Sequence, residues 1–249
     1  MRRPSVEILS PGPLSTIQDA GRYGFKRYGI STSGVVDKES LLLGNLLLDN
    51  DPESAAIEIT FGGFEARFLG DTAIVLTGAD LTASLDGLAV STYEVVHVKF
   101  GQHLELPGPG SGMRAYISVA GGFNTPKHLG SRSTYLAARL GIFNGRSLMG
   151  GDVIPCGTTD GLPFVGRRTS TYLSHDYPEE VTIRVVPGPQ DDCFTESGLN
   201  TFFGAPYTVS DQIDRQGIRL DGPEIQAVDN RHDIVSDAVV TGSIQIPGN

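Results

Sequence analysis

Four short stretches of this 249-residue chain combine carboxylates, arginines, amides and hydroxyls at spacings that could do chemistry. The first is STIQDAGRYG (15–24), with Gln18, Asp19 and Arg22 among turn residues. The second is GISTSGVVD (29–37), where Ser31, Thr32, Ser33 and Gly34 precede an expected helix N-terminus, an end that favours anions. The third is LGSRSTYLAARLG (129–141), with Ser131, Arg132, Ser133, Thr134 and Arg139. The fourth is SDQIDRQGIRLDGP (210–223), with Asp214, Arg215, Gln216 and Arg219. An arginine flanked by serines is a good anion clamp, because the guanidinium gives a planar fork and the hydroxyls fill the remaining positions. A planar amide, ureido group or carboxylate would suit it. On this reading Arg132, with Ser131, Ser133 and Thr134, binds an anion or carbonyl, and Arg215 does the same farther along the chain. Asp19 or Asp214 acts as base or orients water. Gln18, Arg22 and Ser33 join the substrate-binding set. The competing reading is structural: Asp and Ser cap helices and close turns, and surface arginines pair with carboxylates for little energy. Each cluster stands at an expected strand end, and four such placements together point to a ligand site.

Other chemistries find no support. There is no GxxxxGK[ST] loop, no GxGxxG between a strand and a helix, and no GxSxG elbow. The five histidines (97, 103, 128, 175, 232) have no metal-binding spacing, so no metal is expected. His97 and His103 fall on two expected adjacent strands and suit a solvent face. The net charge of −10 disfavours a general nucleic-acid binder. No run of eighteen apolar residues could span a membrane, and the first residues lack the apolar run of a signal peptide. Cys156 and Cys193 lack CxxC spacing and read as two buried thiols of a cytoplasmic protein.

The elements that must position these clusters are mostly strands. SVEIL (5–9), AIEIT (56–60), TAIVLTG (72–78), YEVVHVKF (93–100), HLELP (103–107) and RAYISVA (114–120) are short, β-branched or alternating. TIRVVPG (182–188), YTVS (207–210) and SIQIP (243–247) continue the pattern, and LDGLAV (85–90) carries an Asp-Gly hairpin signal. A helix is expected after Asp37 as N-cap, with Leu42, Leu43, Leu46 and Leu47 on its buried face; a second is expected over 190–203. Residues 121–152 show no apolar period. VEILSPGP (6–13) and IRVVPGP (183–189) echo each other, which predicts two related β units in tandem with a boundary near 160–180.

The stretches LSPGPLSTIQDAGRYGFKRYGISTSGVVDKESLLLGNLLLDN, AIEITFGGF, LTGAD, RAYISVAGGF, LGSRSTYLAARLGIFNGRSLMGGD, VVPGPQDD, DRQGIRLDGP and GSIQIP resemble the KipA, or allophanate hydrolase subunit 2, family. Its members are also called 5-oxoprolinase C subunits and biotin-dependent carboxyltransferase-like proteins. The resemblance covers nearly the whole chain. It implies a mainly β protein of two tandem cyclophilin-like β-barrel domains with a few short helices. The first barrel would span 1–165, and 180–249 would begin a second, incomplete one, since family members continue past GSIQIP. The implied partner is a KipI-like, or allophanate hydrolase subunit 1, protein, together with the LamB/YcsF-type A component of an oxoprolinase. The implied activity is ATP-dependent opening of 5-oxo-L-proline to L-glutamate. One alternative is carboxyl transfer from carboxybiotin, with biotin on another domain, to urea or a related amide. Another is non-enzymatic antagonism of a KipI-like kinase inhibitor.

Overall fold

The computed structural model describes residues 4–108, 110–169, 177–233, 235 and 239–248. The chain divides into two compact units, Met1–Pro178 and Glu179–Asn249.

Unit 1 is built from β1 (Ser5–Pro11), β2 (Leu14–Gln18), β3 (Ala56–Thr60), β4 (Phe64–Phe68), β5 (Thr72–Asp80), β6 (Ser84–Leu85), β7 (Leu88–Ala89), β8 (Val96–Val98), β9 (His103–Leu106), β10 (Ser111–Val119) and β11 (Val153–Pro155). They form two antiparallel sheets, ordered β11-β1-β4-β9-β6-β7 and β2-β3-β10-β5-β8. Side-chain alternation decides what each sheet buries. Val6, Ile8, Phe64, Phe68, Leu104 and Leu106 from the first sheet share one core with Ile17, Ile57, Ile59, Ile74, Leu76 and Ile117 from the second. Each such side chain contributes about 1.5–3 kcal/mol by leaving water. The opposite face of the first sheet carries exposed pairs, Arg67 to Glu7 at 3.5 Å and His103 to Glu65 and Glu105 at 3.3 and 3.1 Å. The opposite face of the second sheet is covered by helix α1 (Lys38–Leu47).

Helix α1 starts where expected. Asp37 is its N-cap and accepts from the Ser40 N–H at 2.9 Å. Its buried face differs from the leucine reading. Leu41, Gly44, Asn45, Leu47 and Leu48 are buried, whereas Leu42 and Leu46 are exposed. Gly44 explains the rotation: a Cβ there would lie 2.7 Å from Ser118 Oγ, so only glycine lets the helix approach β10 this closely. Asn45 then donates to the carbonyls of Pro52 and Ser54 at 3.2 and 2.8 Å, which satisfies its buried amide.

Other expectations shift. The strand expected over 93–100 shrinks to β8, and β2, β4 and β11 are strands beyond those expected; β4, FEARF, alternates buried and exposed residues. His97 and His103 belong to different sheets; His97 Nε2 meets the Pro163 carbonyl at 2.7 Å. Cys156 is buried in the core, but Cys193 is only half-buried.

Residues 121–152 put Phe123 and Leu148 into the core, with Ile142 and Phe143 packed against it, and are otherwise held by polar contacts. Near their end, Arg146 grips Asp152 with two bonds of 2.7 and 2.6 Å, and the Met149 N–H adds a third at 2.8 Å. Burial pushes the Asp152 carboxyl up, but the Arg146 hydrogen bonds and charge and the Met149 N–H outweigh it and hold the carboxyl below its ordinary range. A depressed carboxyl stabilises fully above its unfolded pKa of about 3.9, and loses that contribution as pH falls through the folded value. Asp152→Asn is therefore expected to cost about 1.5–3 kcal/mol near pH 7. The wild-type advantage in thermal midpoint should shrink once the pH is well below about 3.9. An advantage that stays constant down to strong acid would contradict this account.

Unit 2 contains the helix Glu196–Gly204, capped by Thr195, and one antiparallel hairpin of β12 (Thr208–Ile213) and β13 (Ile218–Asp221). The expected helix over 190–203 becomes a 3-10 turn, Asp191–Cys193, followed by this helix. Residues 182–188 and 243–247 are not strands. An extended segment becomes a strand only by pairing, and neither has a ladder partner among the described residues. Ile225 and Ala227 are buried, but Val186, Val209, Ile218 and Leu220 lie open to solvent. Among the described residues, no helix is long and apolar enough to cross a membrane.

Candidate functional site

Three of the four polar clusters meet in unit 1, around Asp19. Strand β2 ends at Gln18, and the next residue leaves the sheet beneath the 124–134 loop. Asp19 is buried and accepts four hydrogen bonds. Oδ1 takes the Gly21 N–H at 2.9 Å and the hydroxyls of Ser131 and Ser133 at 2.7 and 2.5 Å; Oδ2 takes the Arg132 N–H at 2.6 Å. The Asp19 N–H in turn donates to Ser133 Oγ at 2.9 Å. The Asp19 carbonyl accepts from the Val35 N–H at 3.0 Å, and Arg22 N–H donates to Thr32 O at 2.6 Å, so the 29–37 loop closes over the same point.

Arg22 has no exposed surface. Its Nε donates to the His128 carbonyl at 3.0 Å and its Nη2 to the Ser133 carbonyl at 2.8 Å. Burial pulls its guanidinium below the ordinary range, and the charge of Asp19 opposes that shift. Gln18 Nε2 donates to Thr16 Oγ1 and to the Thr134 carbonyl, both at 3.0 Å. A carbonyl only accepts, so the Gln18 amide cannot flip. Among the described residues, Gln18 Oε1, Arg22 Nη1, Ser33 Oγ and Thr134 Oγ1 are buried atoms with no hydrogen-bond partner. Buried polar groups normally have partners, so unfilled capacity at four atoms around one carboxylate marks this cluster.

Arg132 is placed differently from Arg22. Its guanidinium is already engaged, with Asn124 Oδ1 at 3.2 Å and with the Thr125 carbonyl. Asp214 and Arg215 belong to unit 2. Asp214 Oδ1 accepts from the N–H groups of Gln216 and Gly217 at 2.6 and 3.0 Å, closing the β12–β13 turn.

A second polar array escaped the sequence reading. It lies on the outer face of the second sheet, where Thr16, Glu58, Tyr116 and Thr77 are cross-strand neighbours on β2, β3, β10 and β5. Glu58 is buried; its Oε2 accepts from the Val36 N–H at 2.9 Å and the Tyr116 hydroxyl at 3.0 Å. The Asp37 N–H donates to Tyr116 Oη at 2.9 Å. Burial pushes the Tyr116 phenol well above its ordinary range, so it remains a donor to Glu58. Arg114 Nε stands 4.0 Å from Glu58 Oε1. The available signal was one glutamate inside AIEIT, at a position turned away from the core. Parity alone does not reveal that a helix end covers that face.

Residues 28–249 match the family described as carboxyltransferase domain, subdomain A and B. The chain belongs to this family. The match takes in Glu58, Arg114, Tyr116 and the 124–134 loop, and begins after Arg22. As a carboxyltransferase-domain protein it is 36% identical over 246 residues to the C subunit of the Escherichia coli strain K12 5-oxoprolinase, covering 98% of this chain and 77% of that one. It is 33% identical over 242 residues to the C subunit of the Haemophilus influenzae 5-oxoprolinase, covering 97% and 76%. The crystal structure of the K. lactis urea amidolyase superposes with a TM-score of 0.83 at 30% identity. That superposition covers 94% of this chain, which spans only 15% of the amidolyase.

Proposed function

We propose that this chain acts as the C subunit of an ATP-dependent 5-oxoprolinase, opening 5-oxo-L-proline to L-glutamate. The observation that carries this reading is its similarity, over nearly its whole length, to two proteins named as 5-oxoprolinase C subunits. Its partners are then a KipI-like B component and a LamB/YcsF-type A component, and its setting is the cytoplasm. Unit 1 is a cyclophilin-like barrel in this reading, supported by two sheets that share one core, and 180–249 begins a second. 5-Oxoproline is an unstrained cyclic amide with a carboxylate. Opening it needs activation, which ATP supplies by phosphorylating the amide oxygen. The share of this chain is capture and orientation of the substrate. Arg22, Gln18, Ser33 and Thr134 offer the unfilled hydrogen-bonding capacity. Asp19, with four bonds already accepted, positions Ser131, Arg132 and Ser133 instead of taking a proton. Asp214 and Arg215 serve unit 2, Arg215 as a further anion contact.

The similarity to urea amidolyase favours a second reading, carboxyl transfer from carboxybiotin on another domain to a urea-type acceptor. Turnover separates the two. The chain combined with its KipI-like and LamB/YcsF-type partners is expected to release ADP only when 5-oxoproline is present. Absence of that dependence, with turnover stimulated instead by urea, bicarbonate and a biotinylated carrier, would replace the first reading by the second.

A further inference from the structure

We propose that the exposed loop over residues 23–30 docks onto a carboxylate-bearing face of a partner protein, which on the proposed function is the KipI-like component. The inference deepens that reading and rests on it for the identity of the partner.

The loop differs in charge from the chain around it. The net charge is −10, yet residues 20–36 hold Arg22, Lys26 and Arg27 and no carboxylate. The same stretch holds Tyr23, Phe25 and Tyr28. Arg22 turns inward and is buried, whereas Lys26 and Arg27 are exposed, and Tyr23 and Tyr28 are 58% and 64% exposed. Lys38, in the first turn of α1, is exposed beside them, and its Nζ donates to Tyr23 Oη at 3.3 Å. Arg67, Lys99, Arg146 and Arg167 each pair with a carboxylate. Among the described residues, Lys26, Arg27 and Lys38 form no ion pair. Two of the three lie against rings instead: Arg27 Cζ is 4.8 Å from the centre of the Tyr28 ring, and Lys38 Nζ is 5.9 Å from that of Tyr23. A cation laid over a ring face keeps N–H groups for a carboxylate brought in from outside.

The loop is also held in shape from within. The Tyr28 and Gly29 N–H groups donate to the carbonyls of Phe25 and Lys26, both at 2.9 Å, in a single 3-10 turn, Lys26–Tyr28, that ends at Gly29 with φ +74°. At the base, the Arg22 N–H donates to Thr32 O at 2.6 Å and the Tyr23 hydroxyl to Ala20 O at 3.1 Å. Exposed tyrosines beside an arginine are the composition of interface anchors, and a preformed loop loses little freedom on binding. A small anion would leave both phenol rings in water; a protein face with carboxylates meets rings and cations together. The base of the loop closes over the Asp19 cluster, so docking at its tip bears on the segment that covers the candidate site.

The test is calorimetric binding of the intact chain to the KipI-like component at low and raised salt. The wild-type chain is expected to bind, and to bind more weakly as salt screens the exposed charges. Arg27→Glu and Tyr28→Ala should each weaken binding about 10- to 100-fold while the melting temperature stays within a few degrees of wild type. Lys99→Glu, the same charge reversal outside the loop, should change affinity by less than about threefold. Carbodiimide, which joins an amine to a carboxylate in direct contact, should link Lys26 or Lys38 to the KipI-like component. In the assembled complex both loop variants should lose ADP release at low concentrations of that component and regain it in excess, because assembly is weakened and not the chemistry. Failure of the wild-type chain to bind, wild-type affinity in both loop variants, crosslinks only to a second copy of this chain, or a loss of turnover that excess component does not restore overturns the docking surface. Binding that both loop variants weaken, in a wild-type complex showing no 5-oxoproline-dependent ADP release, upholds the surface and removes the oxoprolinase reading instead.

Discussion

Asp19→Asn is expected to destabilise unit 1 by about 3–5 kcal/mol, the cost of breaking a buried, hydrogen-bonded charge arrangement. The four donors that converge on Asp19 are the reason. The Ser131 and Ser133 hydroxyls can rotate to accept instead, but the backbone N–H groups of Gly21 and Arg132 cannot. They address different carboxylate oxygens, so whichever way the new amide turns, its NH2 faces a fixed N–H. The substitution also removes the negative charge nearest the fully buried Arg22. The chain has eight tyrosines and no tryptophan, so urea unfolding followed by tyrosine fluorescence reports the change. A shift below about 1 kcal/mol would mean the surrounding loops repack freely, contrary to the low expected tolerance of buried polar networks.

The second large effect is expected at Gly78→Ala, at about 2–5 kcal/mol from backbone strain plus overpacking. Gly78 sits inside β5 with φ +80°, where the β5–β10 register shifts between Ser111 and Ala115. An added Cβ would meet the Arg114 carbonyl at 2.5 Å and the Tyr116 ring at 3.1 Å. Neither neighbour can yield cheaply, since one is backbone and the other is fully buried. The Gly78 N–H also donates to Tyr93 Oη at 3.0 Å, so the disturbance reaches the phenol beside Ser40. Gly87 supplies the control. It has the same φ of +80° in the β6–β7 turn, but a Cβ there meets nothing within 4 Å. Gly87→Ala should cost only the strain, about 1–3 kcal/mol. Equal melting temperatures for the two variants would show that the close approach at Gly78 is not what matters.

Much of unit 1 is legible in the sequence because local rules and tertiary structure agree there. AIEIT spans β3 residue for residue, and Asp37 caps α1 as its type and place suggest. The gathering of Gln18, Asp19, Arg22 and Ser131–Thr134 follows from residue type, since such groups in apolar surroundings must satisfy one another. The inner face of α1 is not legible. Four leucines at helical spacing outweigh one glycine in a periodicity argument, yet Gly44 decides the contact by permitting approach to Ser118. Glu58 and Arg114 are hidden for a related reason. Alternation tells which side of a strand they occupy, but whether that side meets solvent depends on a helix placed by residues far away. In unit 2 the apolar stretches 182–188 and 243–247 look like strands by composition, but pairing is a property of two segments, and no partner is visible in either one alone.

The separation of the two thiols turns the chain into its own reporter. Cys156 sits in the unit 1 core, where burial pushes its thiol up to about 12 and leaves it inert to alkylation. Cys193 belongs to unit 2 and is half-buried. A thiol reagent therefore marks unit 2 under native conditions and reaches Cys156 only when the packing around it opens. One alkylation time course, with no engineered label, reads local opening around Cys156 in unit 1 against the native labelling of Cys193 in unit 2.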